Sequence, residues 1–240
     1  MTRNRSTRTA TCAGILILVV ALLNACTSSP TTTPGTATPS TAHTVADYPI
    51  RWLPTPNLDL TSRDGTFVRG IAETYLHARL LGDPGLTPGF TDAIRPALDF
   101  DLMRKKFGTL KTDHEPPETI YLFAAPFPYD HLADHPTDIG QGHTLTPGMG
   151  AAAICIAGPH PPATDHALFF FTYRRTGKPP PTNQHGPQTA PTTNIFGNWT
   201  GVDWIGPAVQ ITDRCNHPPT TPADTDTLHT PSPGWPHSTQ

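Results

Sequence analysis

Serine, glutamate and cysteine are the scarce residues of this 240-residue chain. Between positions 47 and 216 the only serine is Ser62, and neither a Gly-x-Ser-x-Gly nor a Ser-x-x-Lys pattern occurs. A serine hydrolase or a penicillin-binding enzyme therefore lacks its nucleophile, and Ser62 reads instead as a helix cap. The glutamates are Glu73, Glu115 and Glu118, with no local pairing of the kind a glycosidase needs. Glu73 reads as a flank residue of a helix; if that helix lines a cavity, Glu73 is a candidate acid or base with Asp203 or Asp213 as its partner. Basic charge is sparse too: Lys105, Lys106 and Lys111 form one short run without interleaved aromatics, which gives no footprint for nucleic acid. The longest apolar run, about 13–23, is too short to span a bilayer, which takes roughly 20 residues.

Proline is abundant, at 30 residues, and unevenly spread. Positions 27–46 are almost wholly Thr, Pro, Ser and Ala without a charge, and 217–240 are rich in Pro, Thr, His and Asp. Neither segment carries the apolar surface needed to offset the entropy of ordering. The expected organisation is a leader over 1–25, a tether over 26–46, one domain over 47–216 and a disordered tail over 217–240.

The leader has Arg3, Arg5 and Arg8, then the apolar run, then Leu23-Asn24-Ala25-Cys26. This resembles the lipobox of bacterial prolipoproteins. The resemblance implies cleavage before Cys26, diacylation of Cys26 and anchoring on the outer face of the cell membrane. Loss of the three leader arginines takes the net charge from −3 to −6. Cys12 leaves with the leader, so Cys155 and Cys215 remain in an exported domain. An even pair in an oxidising compartment is expected to form a disulfide.

Within the domain, residues 50–56 read as an extended lead-in because two prolines hold it out of the helical region. Phe67, Ile71, Tyr75 and Ala78 form a stripe at helical spacing, widened by Val68, Ala72 and Leu76. Ser62 or Asp64 caps this helix, and Gly82-Asp83-Pro84 stops it. A short helical turn is expected over 90–97. Strands are expected over 119–124, 151–156, 167–174, 199–205 and 208–212, separated by Gly/Pro-rich turns. A leading helix followed by strands predicts an α+β domain, the helix packed on an antiparallel sheet as in NTF2-like or cystatin-like domains.

Arg51-Trp52, the run 58–69, Pro88-Gly89-Phe90, Tyr173-Arg174-Arg175 and the run 194–199 resemble uncharacterised lipoproteins of actinobacteria. That resemblance implies a location and an architecture, and no activity.

Chemistry remains open. Tyr75, Tyr173, Trp199 and Trp204 are either the walls of a ligand pocket or core aromatics. His131 and His135 have an H-x3-H spacing that suits Zn²⁺ or Ni²⁺ on a helix, yet Pro128 and Pro136 bracket them. Gly140-Gln141-Gly142-His143 and Pro147-Gly148-Met149-Gly150 read as turns, not as a phosphate cradle, and no cofactor is expected. The sequence favours a non-catalytic domain that binds a small molecule or an envelope protein. The alternative is a metal-assisted or Asp-based hydrolase of wall polymers.

Overall fold

A computed structural model describes residues 43–94, 119–125, 136–140, 143–157, 167–205, 215–219 and 231–237. All of them belong to one unit, Ala42–Gln240.

The predicted helix is α1, Arg63–Leu81. Ser62 caps it, its Oγ accepting the Gly65 N–H at 3.0 Å. Asp64 in the first turn and Arg79 in the last complement the helix dipole. Gly82 ends the helix in the left-handed region, φ 75°, and its N–H donates to the Ala78 carbonyl, a conformation that costs glycine little. Residues 65–78 are all buried, so the helix is enclosed on every side and not merely along one stripe. A short second helix, α2, covers Phe90–Ile94.

The described residues contain seven strands, in chain order β1 (Ile50–Trp52, ahead of α1), β2 (Ile120–Ala124), β3 (Thr137–Gly140), β4 (His143–Leu145), β5 (Met149–Ala157), β6 (Ala167–Arg174) and β7 (Thr200–Ile205). Five of them make one sheet in the order β1-β2-β5-β6-β7, and β3 pairs with β4 separately. The domain is thus α+β. The sheet is mixed, which corrects the expectation of an antiparallel one: β1 runs parallel to β2, and the other pairings are antiparallel. The cause is the helix between them. A chain that leaves β1, passes through α1 and returns beside β1 makes a crossover, and a crossover yields parallel neighbours. The lead-in around Trp52 is therefore an edge strand.

The second glycine-rich run acts as a turn; of the first, residues 141 and 142 lie outside the described residues. Gly140 pairs with His143 across β3 and β4. Pro147-Gly148 reverses the chain into β5, with Gly148 at φ 83° and the Met149 N–H bonded to the Thr146 carbonyl.

Alternation along the strands builds two cores. Leu122, Ile154, Phe169, Phe171 and Tyr173 join the cluster that contains α1. Tyr121, Phe123, Cys155 and Phe170 belong to the cluster on the other face, with Leu53 and Cys215. Burial of both faces explains why Phe169, Phe170 and Phe171 occur in succession. The expected disulfide joins Cys155 to Cys215, with Cα atoms 5.5 Å apart and a separation of 60 residues.

Residues 231–237, which fall within the expected tail, pair with the domain. Within 217–240, Ser232 bridges Arg51 in parallel and Trp235 bridges Gln188, and the Trp235 side chain is fully buried. One tryptophan brought into a polar enclosure supplies what the surrounding Pro and Thr lack: a large apolar surface with a hydrogen-bond donor. The fold thus takes in residues well beyond the expected boundary at 216.

Candidate functional site

The four aromatics singled out in the sequence lie in one row between α1 and the sheet. Trp204 stacks on Phe169 at 4.1 Å, and Tyr75 packs on both, at 4.7 and 5.2 Å. Phe169 leads to Phe171, and Phe171 to Tyr173, each pair at 5.5 Å. Tyr173 stacks on Trp199 at 6.0 Å. Tyr75, Tyr173 and Trp199 are buried, and Trp204 is half-buried. Their rings meet one another and fill the space between helix and sheet with side chains. At the end of the row the Tyr173 hydroxyl donates to Asp64 Oδ1 at 2.5 Å, and Arg175 Nε donates to the same oxygen at 2.7 Å. Burial and the Asp64 charge both hold the Tyr173 hydroxyl well above its ordinary value, so it remains a donor.

A second cluster went unread in the sequence. Arg69 and Glu73, one turn apart on α1, are buried with side-chain exposures of 0% and 4%. Glu73 Oε1 accepts the Trp52 indole N–H at 2.7 Å and Arg69 Nε at 3.3 Å. Glu73 Oε2 accepts the Trp235 indole N–H at 2.5 Å. Arg69 sends its other donors to the carbonyls of Gln184, at 2.8 Å, and Gly234, at 2.7 Å, while its guanidinium lies 4.2 Å from the Trp235 ring centre. Burial pushes the Glu73 carboxyl up, and Arg69 with the two indoles pulls against it. These three hydrogen-bond partners are all donors, so the ionised form is the one that matches them. Glu73 is therefore a core residue, not the flank residue expected, and its two oxygens are engaged by these donors.

This cluster ties three remote segments to α1: the β1 edge, the loop around Gln184 and the C-terminal segment. Its sequence signals were faint. They were an Arg and a Glu at helical spacing inside an otherwise apolar stretch, and one Trp within a Pro/Thr-rich tail.

Beside the cluster opens a cleft of about 280 Å³, with Gln184, Thr192, Thr193, Trp235 and His237 among its lining residues. Thr192, Thr193 and His237 are exposed. His237 Nδ1 lies 2.8 Å from Gln188 Nε2, which holds the ring at the rim. Small-molecule sites run from roughly 300 to 1,000 Å³, so this cleft takes one ring or one side group of a larger ligand.

No family model, curated protein or solved structure matches the chain. Among the described residues no group of three or more His, Cys, Asp or Glu is placed to hold a metal ion, and no helix is long and apolar enough to cross a membrane. Cys26, His131, His135, Asp213 and the expected strand over 208–212 lie outside the described residues.

Proposed function

We propose that the chain is a cell-envelope lipoprotein, anchored through diacylated Cys26 on the tether 26–46, whose domain works by binding rather than by catalysis. The ligand-binding face is the cleft between the loop 184–195 and the C-terminal segment 235–237. The observation that carries this reading is the buried Arg69–Glu73 cluster behind it. Burying an ion pair costs desolvation free energy, and its best-attested return is a fixed geometry. Here the geometry it fixes is that of the two segments that wall the cleft. Preorganised walls lower the ordering cost of binding. Their surface carries no Asp, Glu, Lys or Arg and offers proline faces, two threonine hydroxyls and an imidazole, which suits a neutral polar group on an envelope molecule or a partner protein.

Kinship with the actinobacterial lipoproteins belongs to the same proposal, on the runs already quoted. A helix lying against one face of a sheet is also the arrangement of NTF2-like and cystatin-like domains, a fold-level analogy that carries no function.

The test is native mass spectrometry of the full chain, extracted gently from its own membrane. The expected result is an extra mass that leaves on denaturation and is absent from a Thr193→Trp variant, in which the cleft is filled. The same extra mass in both proteins moves the site elsewhere, and a bare chain in both refutes the binding reading. Cys26→Ala is expected to send the protein from the membrane to the soluble fraction; continued membrane retention refutes the anchor.

A further inference from the structure

The C-terminal segment is held as a ligand is held. Ser232 adds to the outer edge of the sheet: its N–H donates to the Ile50 carbonyl at 3.1 Å, and its carbonyl accepts the Trp52 N–H at 2.8 Å. Three residues on, Trp235 exchanges two backbone hydrogen bonds with Gln188, at 2.9 and 3.0 Å, and the Gly186 N–H donates to the Pro233 carbonyl at 3.1 Å. The segment therefore lies in a groove with one edge from β1 and the other from 186–188.

Glycines on both sides let the backbones meet. A Cβ on Gly186 would run into the Trp235 carbonyl, and one on Gly234 into the Gly186 carbonyl. At the groove floor the indole finds its acceptor in Glu73 and its cation in Arg69. Edge pairing plus one deep side-chain pocket is how extended peptides are recognised by strand addition. All the partners named here lie in residues 50–188, so this docking does not depend on how residue 231 is joined to the domain.

We propose that this groove is a docking site for a Pro-Gly-Trp strand, filled in this structure by the chain's own residues 231–237 and filled in trans by the same segment of a second copy. Residues 220–230 join the segment to the described chain at Pro219, and fully extended they reach roughly 36 Å. That length lets the segment leave its own groove for that of a second copy. Because donor and acceptor surfaces are identical in every copy, the exchange is reciprocal and closes into a two-fold dimer. The proposal rests on the groove and is independent of what the neighbouring cleft binds.

The test uses the full chain with a protease site placed within 220–230. After cleavage, an isotopically heavy peptide of residues 229–240 is added and native mass spectrometry follows the bound peptide. The heavy peptide is expected to replace the light one, and a Trp235→Ala peptide to bind at least about tenfold more weakly. Intact chains of two isotopic masses, mixed at high concentration, are expected to give a mixed dimer that excess free peptide dissolves. If cleavage unfolds the chain, recovery of its circular dichroism with the wild-type peptide alone supports the groove equally. A folded, cleaved chain that never exchanges, equal binding of both peptides, or an unfolded chain that the peptide does not rescue overturns the groove. Absence of the mixed dimer up to millimolar chain overturns the second copy as its occupant.

Discussion

Glu73→Gln is the most demanding perturbation of this fold, because it keeps the shape of the side chain and removes only its charge. Arg69 would then sit fully buried without the carboxylate charge beside it, held by the carbonyls of Gln184 and Gly234 and at most by a neutral amide oxygen. The amide also mismatches its surroundings. Its oxygen can serve Trp52 and Arg69, but its NH₂ would face the Trp235 indole N–H, donor against donor. Breaking one side of a buried pair costs about 3–5 kcal/mol. With a urea dependence of roughly 2 kcal/mol per molar for a domain of this size, the unfolding midpoint should fall by about 2 M. Trp235 loses its acceptor, so its fluorescence should shift to the red before the main transition. Arg69→Met combined with Glu73→Gln should recover part of the loss, because the unpaired charge goes with it. A single Glu73→Gln change that moves stability by less than about 0.5 kcal/mol, the scatter of ordinary surface substitutions, would refute the argument that this pair holds the three segments together.

Two further outcomes are expected. Buried His77, whose Nε2 donates to the Tyr48 carbonyl at 3.0 Å, is held by desolvation at a pKa of about 4 against 6.5 when exposed. The unfolded chain takes up that proton first, so the stabilisation is complete above pH 6.5 and is lost as pH falls toward 4, by about 3 kcal/mol in all. Urea midpoints near pH 7 and pH 4.5 measure it, and a His77→Gln variant, which keeps the donor and removes the titration, should flatten the difference; an unchanged slope counts against His77. The raised carboxyl of Glu73 acts in the opposite sense and is common to both proteins. Reduction of the Cys155–Cys215 bridge, which closes 60 residues, should cost about 4 kcal/mol on the chain-entropy account. A reduced protein with the same urea midpoint would refute that contribution.

The helix and the long strands were legible because their signals are local. The Phe67–Ala78 stripe, the Ser62 cap and the Gly82 stop needed only neighbours in sequence, and so did the run that became β6, Ala167–Arg174. The disulfide followed from counting. Pairing direction was not legible, because parallel β1 and β2 depend on where the crossover through α1 returns, a property of the whole topology. The Arg69–Glu73 cluster was hidden for a related reason. Its burial is enforced by Trp52, Gln184 and Trp235, which lie far away along the chain, and an i,i+4 ion pair on a helix ordinarily marks a solvated face. The docking of residues 231–237 was not legible because composition averages over a segment, whereas one indole with a waiting carboxylate singles out a short part of it. The aromatic row shows the same limit from the other side: the residue types are visible in the sequence, but whether rings meet a ligand or each other is decided by packing.

The burial of Trp235 also sets an order of assembly. Synthesis proceeds from the N-terminus, so Arg69 and Glu73 emerge more than 160 residues before the indole that completes their hydrogen bonding. Until then α1 carries a charged pair that an apolar interior rejects, and the nascent helix is better solvated than packed. Closure of this part of the interior therefore waits for Trp235, and a product that stops short of it is left with an open seam. Trp235 thus acts as a late checkpoint of synthesis: a nascent chain without it cannot by itself complete the hydrogen bonding of Glu73.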